Sequence, residues 1–190
     1  MATKSKSKSR AKSKSQRTGV IVIDVQKCLA CKTCELECAV AHSQAKALVD
    51  AVGESPRPTA RVSVVGAEDF SFPLQCRHCE DAPCIKICPT KAIARLGDDQ
   101  PVLIDQDKCI GCKWCIMVCP FGVIEMDDKR RVLIKCDLCC DRLEEGELPA
   151  CVAGCPTHAI EFKPLAEVVA SRKKKAVVSF MEEMKGGGSK

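Results

Sequence analysis

Four cysteines, Cys109, Cys112, Cys115 and Cys119, followed by Pro120, constrain this chain more than any other stretch. Their spacing is C-x2-C-x2-C-x3-C-P. Three thiolates this close together converge on one iron–sulfur cubane from a tight loop, while the fourth sits a helical turn onward and faces away. Cys119 is therefore expected to ligate a different cluster, with Pro120 turning the chain behind it. Such a run cannot serve one cluster alone and needs a partner.

The chain holds three further groups. Cys28, Cys31, Cys34 and Cys38 repeat the spacing, with Ala39 in place of the proline. Cys76, Cys79, Cys84 and Cys88, before Pro89, have two extra residues between the second and third thiols. Cys136, Cys139, Cys151 and Cys155, before Pro156, have 11 residues ahead of the third thiol. Sixteen thiols suffice for four four-iron clusters, and of the 17 cysteines present the C-x2-C spacing leaves Cys140 as the spare.

Cysteine this dense in a secreted chain would suggest disulfides. Here the count is odd, no signal or twin-arginine segment is recognisable, and no apolar run reaches membrane-spanning length. A reducing cytoplasm is the expected location. With no Tyr, one Trp and five Phe, the interior must be filled by metal clusters wrapped in small aliphatic side chains. The formal charge of +5 is unevenly placed. Residues 1–17 carry seven positive charges and no negative one, leaving 23 positive and 25 negative in the body. Each oxidised cluster on four thiolates adds roughly two more negative charges. The basic tail, alternating Lys or Arg with Ser, is expected to be disordered. It has no aromatic side chain to stack on a base, which argues against nucleic acid.

Along the chain, Gly19–Val25 reads as a strand feeding the first group, and a helix is expected after Cys38 running toward Val49. Residues 53–61 read as a loop before a strand at Arg61–Val65. Behind the last three groups stand Ala92-Ile93, Val123-Ile124 and Ala159-Ile160, each starting a short strand, and strands at Val102–Ile104 and Val132–Ile134 feed the third and fourth groups. This is a fourfold degenerate repeat of strand, cysteine loop, helical turn and strand. Two repeats close one two-cluster ferredoxin module, so the chain reads as two modules. Beyond Pro164, apolar residues from Leu165 to Met184 recur at helical spacing, suited either to packing on the chain's own surface or to docking a partner.

Zinc is the main rival metal, because paired C-x2-C spacings also build zinc ribbons. Zinc has no need of the C-x3-C endings present in all four groups, which favour iron–sulfur chemistry. A zinc-stabilised scaffold or nucleic-acid adaptor is thus the competing class. No G-x-G-x-x-G, Walker phosphate loop or H-E-x-x-H is present. His42, His78 and His158 read as isolated, His78 as a surface histidine or, from inside the second loop, as a hydrogen-bond partner of a sulfur, and Trp114 as a shield between its cluster and water. Gly111 is expected to let the loop backbone curl toward sulfur.

With groups at 28–38, 76–88, 109–119 and 136–155, the chain resembles the sixteen-cysteine ferredoxin-like electron-transfer subunits. These accompany molybdenum and tungsten oxidoreductases, formate-linked hydrogenases and carbon monoxide dehydrogenase. Cys-Glu-Leu-Glu-Cys-Ala-Val-Ala-His-Ser at 34–43 and Gln-Cys-Arg-His-Cys-Glu-Asp-Ala-Pro-Cys at 75–84 carry the likeness to its soluble cytoplasmic branch. The resemblance implies an α+β fold of two pseudo-symmetric bacterial-type 2×[4Fe-4S] ferredoxin modules, the outer cysteine groups pairing with each other and the inner ones likewise. It implies four [4Fe-4S] clusters: Cys28, Cys31, Cys34 and Cys155 on the first, Cys38, Cys136, Cys139 and Cys151 on the second, Cys76, Cys79, Cys84 and Cys119 on the third, and Cys88, Cys109, Cys112 and Cys115 on the fourth. The iron of these clusters is the expected metal, with no separate metal site and no catalytic residue.

The expected organisation is then a tail at 1–18, a first module from 19–50 and 128–163, a connecting loop at 51–65, a second module at 66–127, and a C-terminal helix and tail at 164–190. The implied function is an electron relay with no substrate site of its own, working with a larger catalytic subunit. A tungsten or molybdenum aldehyde or formate oxidoreductase is the first choice of partner, with carbon monoxide dehydrogenase or hydrogenase next. A further electron-acceptor subunit and end-to-end stacking of relay subunits are compatible with the same reading.

Overall fold

The computed structural model describes residues 19–97, 100–127 and 132–186. The basic tail at 1–18 and residues 187–190 of the expected C-terminal end lie outside the described residues.

Short antiparallel pairs, each two strands wide, make up the sheet structure of the described residues. Strand β1 (Val20–Ile23) pairs with β8 (Ile160–Lys163), setting Ile23 opposite Ile160, so the segments before the first cysteine group and after the last close one unit. Strands β4 (Ile93–Arg95) and β5 (Val102–Ile104) form a second pair, and β6 (Glu125–Asp127) and β7 (Val132–Ile134) a third. Strands β5 and β7 have the bounds expected from their β-branched runs.

The fourth pair is a hairpin of β2 (Val62–Ala67) and β3 (Phe70–Gln75). Strand β3 contains Pro73, which cannot donate to a ladder. Pro73 is tolerated because it faces Val64, whose N–H points away from the ladder to Glu35 Oε1 at 2.6 Å. At such a pair no proline N–H is needed.

Apart from the last, the helices are short, and most of them carry cysteines. They are α1 (Thr33–Ala41), α2 (Leu48–Val52), α3 (Pro83–Ile87), α4 (Trp114–Val118), α5 (Cys140–Glu145), α6 (Ala150–Ala153) and α7 (Leu165–Gly186). The helix expected after Cys38 begins earlier, at Thr33, and stops at Ala41 instead of running to Val49. His42 caps it, and Ser43 then turns the chain, its hydroxyl donating to Val40 O at 2.7 Å and accepting from Lys46 N–H at 2.9 Å. Ala39 therefore sits inside a helix, where proline would remove an i→i−4 bond. Cys88 and Cys119 cap the ends of α3 and α4 with extended backbone, and their prolines follow without cost.

Two buried cores separate along the cysteine groups. One gathers Cys34, Cys38, Val62, Cys151, Val152, Cys155, Ala159 and Ile160 from the outer groups. The other gathers Ala82, Ile93, Val102, Cys115, Ile124 and Leu133 from the inner ones. Ile93 and Val102 are 1% exposed, and burying each is worth about 1.5–3 kcal/mol. Helices α1 and α6 meet in the first core, α3 and α4 in the second. Helix α7 runs 22 residues, yet Leu165, Val169, Val177, Phe180, Met181 and Met184 stay exposed, so it does not pack its stripe on the chain's own surface. No helix among the described residues is long and apolar enough to cross a membrane.

The backbone repeats more closely than the sequence. Asp24 N–H donates to Ala159 O at 2.8 Å ahead of the first group, and Asp105 N–H to Ala92 O at 2.7 Å ahead of the third. Lys32 and Lys113 are left-handed at matching places in these groups, as are Ala30 and Gly111, while His78 and Leu138 match in the second and fourth. Ala30 thus holds a φ of 55° where the third group uses glycine at 67°. A left-handed non-glycine residue costs about 1–2 kcal/mol. Ala30→Gly should raise the denaturant midpoint, by about 0.5–1 kcal/mol once glycine's extra unfolded-state entropy is subtracted. Gly111→Ala should lower it by about 1 kcal/mol through backbone strain alone, since a Cβ there meets only Met126 Cε at 3.5 Å.

Candidate metal centres

Helices α3 and α4 explain how the inner cysteines converge. Cys84 lies in α3 and Cys115 in α4, four residues before Cys88 and Cys119 at the helix ends. Cys84 and Cys119 line one cavity with Cys76 and Cys79, while Cys88 and Cys115 line another with Cys109 and Cys112. Each helix thus sends its two thiols to different cavities. The first cavity, of about 340 Å³ of space between atoms, is walled by Ala82, Pro83, Val102, Pro120, Val123 and Ile124. The second, of about 300 Å³, is walled by Ala92, Ile93, Ile110 and Leu133.

The outer groups behave alike. Cys28, Cys31, Cys34 and Cys155 line a cavity of about 290 Å³ closed by Val64, Pro73, Ala159 and Ile160. Cys38, Cys136, Cys139 and Cys151 are all buried, drawn from α1, the loop before α5, and α6. Their mutual repulsion helps raise the thiols of Cys139 and Cys151, though loss of water contact is the main cause. Arg61 N–H donates to Cys38 Sγ at 3.2 Å and Leu138 N–H to Cys136 Sγ at 3.4 Å. His78 N–H makes the matching bond to Cys76 Sγ at 3.4 Å.

The thiol chemistry fits a metal. Burial pushes Cys34 and Cys115 up to about 11 and Cys136 to about 12. Buried sulfurs so reluctant to ionise in protein surroundings become thiolates when iron supplies the compensating charge. At Cys88 and Cys155 burial acts upward too, but N–H groups of the following turn and the hydroxyls of Thr90 and Thr157 bring both below the ordinary thiol value. Three buried side-chain atoms have no protein partner among the described residues: Gln75 Nε2, Gln75 Oε1 and His78 Nε2. All three flank Cys76, and a buried polar atom without a partner costs about 1–3 kcal/mol.

A family model described as a 4Fe-4S dicluster domain matches residues 67–165. The chain belongs to the 4Fe-4S dicluster domain family. The match contains the last three cysteine groups and leaves Cys28–Cys38 outside it. An "Iron-sulfur protein" of Rhodospirillum rubrum is 44% identical over 158 residues, covering 77% of this chain and 82% of that protein. The "Electron transport protein HydN" of Escherichia coli (strain K12) is 36% identical over 179 residues, covering 84% and 98%. A sulfite dehydrogenase subunit of Allochromatium vinosum is 38% identical over 160 residues, covering 75% and 67%. Membership of the 4Fe-4S dicluster family and the 17 cysteines fit several [4Fe-4S] clusters.

Within this dicluster chain, three single-residue expectations change. His78 is not a surface histidine: its Nδ1 accepts from Val102 N–H at 3.1 Å, and burial, with the charge of Lys135, lowers it to about 3. Its backbone N–H, not its ring, reaches the sulfur of Cys76. His42 is not isolated. Its Nδ1 lies 2.6 Å from Cys38 O and 3.7 Å from Cys38 Sγ, and its Nε2 lies 3.2 Å from Asp137 Oδ1. Burial opposes its charge, but the bonds to Asp137 and Cys38 prevail and raise it to about 9. Trp114 is 55% exposed and does not line the cavity of its group, so it is no shield.

Asp137 and Arg61 are the residues that cysteine spacing misses. Asp137 pairs with Arg61 and His42 and accepts from Cys139 N–H at 3.0 Å, tying three chain segments around the buried set. Nothing in the sequence links Arg61 to Asp137, 76 residues apart. Cys140 opens α5 with its thiol donating to Asp137 O at 2.9 Å, and Cys139, not Cys140, is the one repelled by Cys38. Cys140→Ser keeps that hydrogen bond, so iron and sulfide per chain should equal the wild-type values. Loss of about four irons would make Cys140 a ligand.

Proposed function

We propose that this chain relays electrons through four [4Fe-4S] clusters to or from the catalytic subunit of an oxidoreductase. The observation that carries the reading is that twelve of sixteen cysteines line three cavities four by four, while the other four lie buried together. The proposed ligand sets are Cys28, Cys31, Cys34 and Cys155; Cys38, Cys136, Cys139 and Cys151; Cys76, Cys79, Cys84 and Cys119; and Cys88, Cys109, Cys112 and Cys115. Each bound cluster supplies a site that accepts and releases one electron. The protein's part is to hold the thiolates, keep water from the sulfurs with aliphatic walls, and aim N–H groups at them.

The two cores and the repeated backbone support a description as two pseudo-symmetric ferredoxin modules, one from the outer groups and one from the inner. Partnership with a catalytic subunit is supported by the relative named as a subunit of sulfite dehydrogenase. A molybdenum or tungsten enzyme is the partner class implied by the family resemblance. The exposed thiols Cys31 and Cys112 belong to two different sets, which suits those sets to electron entry and exit. Anaerobic purification should yield about sixteen irons and sixteen sulfides per chain. Copurification with a large cofactor-bearing subunit is the expected result in the native host; a colourless zinc protein would overturn the reading.

A further inference from the structure

Lys135 stands directly before the first thiol of the fourth group, at the end of β7, and is 5% exposed. Its ammonium donates to Val102 O at 2.5 Å and to Cys136 O at 2.8 Å. Among the described residues no carboxylate forms an ion pair with it. A buried ammonium that meets only neutral carbonyls is costly, and proteins rarely keep one without a nearby negative charge.

The missing charge has an address. The two carbonyls belong to different neighbourhoods: Val102 lines the cavity of Cys76, Cys79, Cys84 and Cys119, while Cys136 belongs to the buried set with Cys38, Cys139 and Cys151. The ammonium thus bridges a wall residue of the first set and the backbone of a thiol of the second. His78 Nδ1 accepts from the N–H of the same Val102 at 3.1 Å. The carboxylate of Asp137 is already paired with Arg61 and His42. Of the positive groups around these two sets, Lys135 is the one that lies between them.

We propose that Lys135 is the shared counter-charge of two clusters, those of Cys76, Cys79, Cys84 and Cys119 and of Cys38, Cys136, Cys139 and Cys151, and makes both easier to reduce. One-electron reduction adds a negative charge, and a buried cation at short range stabilises that state more than the oxidised one. Lys135 acts as a positioning and charge-setting residue, touching no thiol itself. Raising both sites together keeps them open to electrons moving between the sets of Cys31 and Cys112. This rests on the ligand sets proposed above.

The test uses the full chain, loaded with iron and purified anaerobically, in four forms: wild type, Lys135→Arg, Lys135→Gln and Lys135→Met. Iron and sulfide per chain come first, then redox titration followed by electron paramagnetic resonance. Wild type with about sixteen irons upholds the ligand reading independently of the measured potentials. Lys135→Gln retains donors for both carbonyls without the charge. In it, two cluster signals should need a potential lower by at least the equivalent of a tenfold change in oxidised-to-reduced ratio, 59 mV for one electron. Lys135→Met should do the same, Lys135→Arg should restore wild-type behaviour, and two signals should not move. Loss of iron from both neutral variants while Lys135→Arg stays fully loaded also supports the counter-charge. Unchanged potentials in a fully loaded Lys135→Gln, or iron loss from all three variants, would reduce Lys135 to a structural pin and overturn the inference.

Discussion

Replacing Cys119 by alanine should empty the cluster of Cys76, Cys79 and Cys84 and spare the one held by Cys109, Cys112 and Cys115. Cys119 belongs by sequence to the third group, yet it lines the cavity of the second. Cys115, one helical turn earlier in α4, lines the other cavity with Cys88, Cys109 and Cys112. Helix α3 makes the reciprocal exchange with Cys84 and Cys88, and α1 and α6 divide Cys34, Cys38, Cys151 and Cys155 in the same way. Removing one of four thiolates leaves three ligands and an apolar wall around an open coordination position, so the expected loss is about four irons per chain. Cluster-resolved electron paramagnetic resonance should lack one signal and keep three. Cys115→Ala should remove a different one. If Cys119→Ala instead deletes the signal that Cys115→Ala deletes, each helix serves a single cluster and the crossover is wrong.

How much of this was legible depended on whether the signal was local. The thiol spacings, the strands β5 and β7 and the curl at Gly111 follow from neighbouring residues, and the backbone adopts them. A residue one helical turn past a cysteine loop is expected to face away from it, and Cys119 lines the cavity of Cys76, Cys79 and Cys84. Which group receives it needed the family resemblance. Three features ran against local rules. Pro73 in β3 is excused by a side chain 38 residues earlier, Glu35, which takes the N–H opposite it. Ala30 holds a backbone that its repeat partner assigns to glycine. The helix α1 starts inside the cysteine loop because Lys32 turns left-handed just before it, and no propensity scale marks a lysine for that role. Lys135 and Asp137 were invisible for a related reason: what they balance is charge contributed by distant segments.

Asp137→Ala should be the most damaging change outside the cysteines. One oxygen of this carboxylate takes Cys139 N–H and faces His42 at the end of α1, and the other pairs with Arg61 ahead of β2. The buried set it surrounds is drawn from α1, the loop before α5 and α6, so its geometry depends on how these segments are tied together. Arg61 in turn presents its backbone N–H to Cys38 Sγ, and His42 rests against the same sulfur. Alanine removes the anchor from both groups and leaves a partly buried cation without its partner. The network is about one-third exposed at Asp137, so the cost falls below the 3–5 kcal/mol of a fully buried pair, at about 1–3 kcal/mol. The expected outcome is loss of about four irons, with the three cavity-lining sets still loaded. Asp137→Asn keeps an oxygen for Cys139 N–H but not the charge, and should retain more iron than alanine. Arg61→Ala should lose less than Asp137→Ala, and the double variant should fall short of the sum of the singles, because both act through one network. Full additivity of the losses, or iron missing from the set at Cys28, Cys31, Cys34 and Cys155 instead, would show that Asp137 supports the first core in general and not the buried thiols.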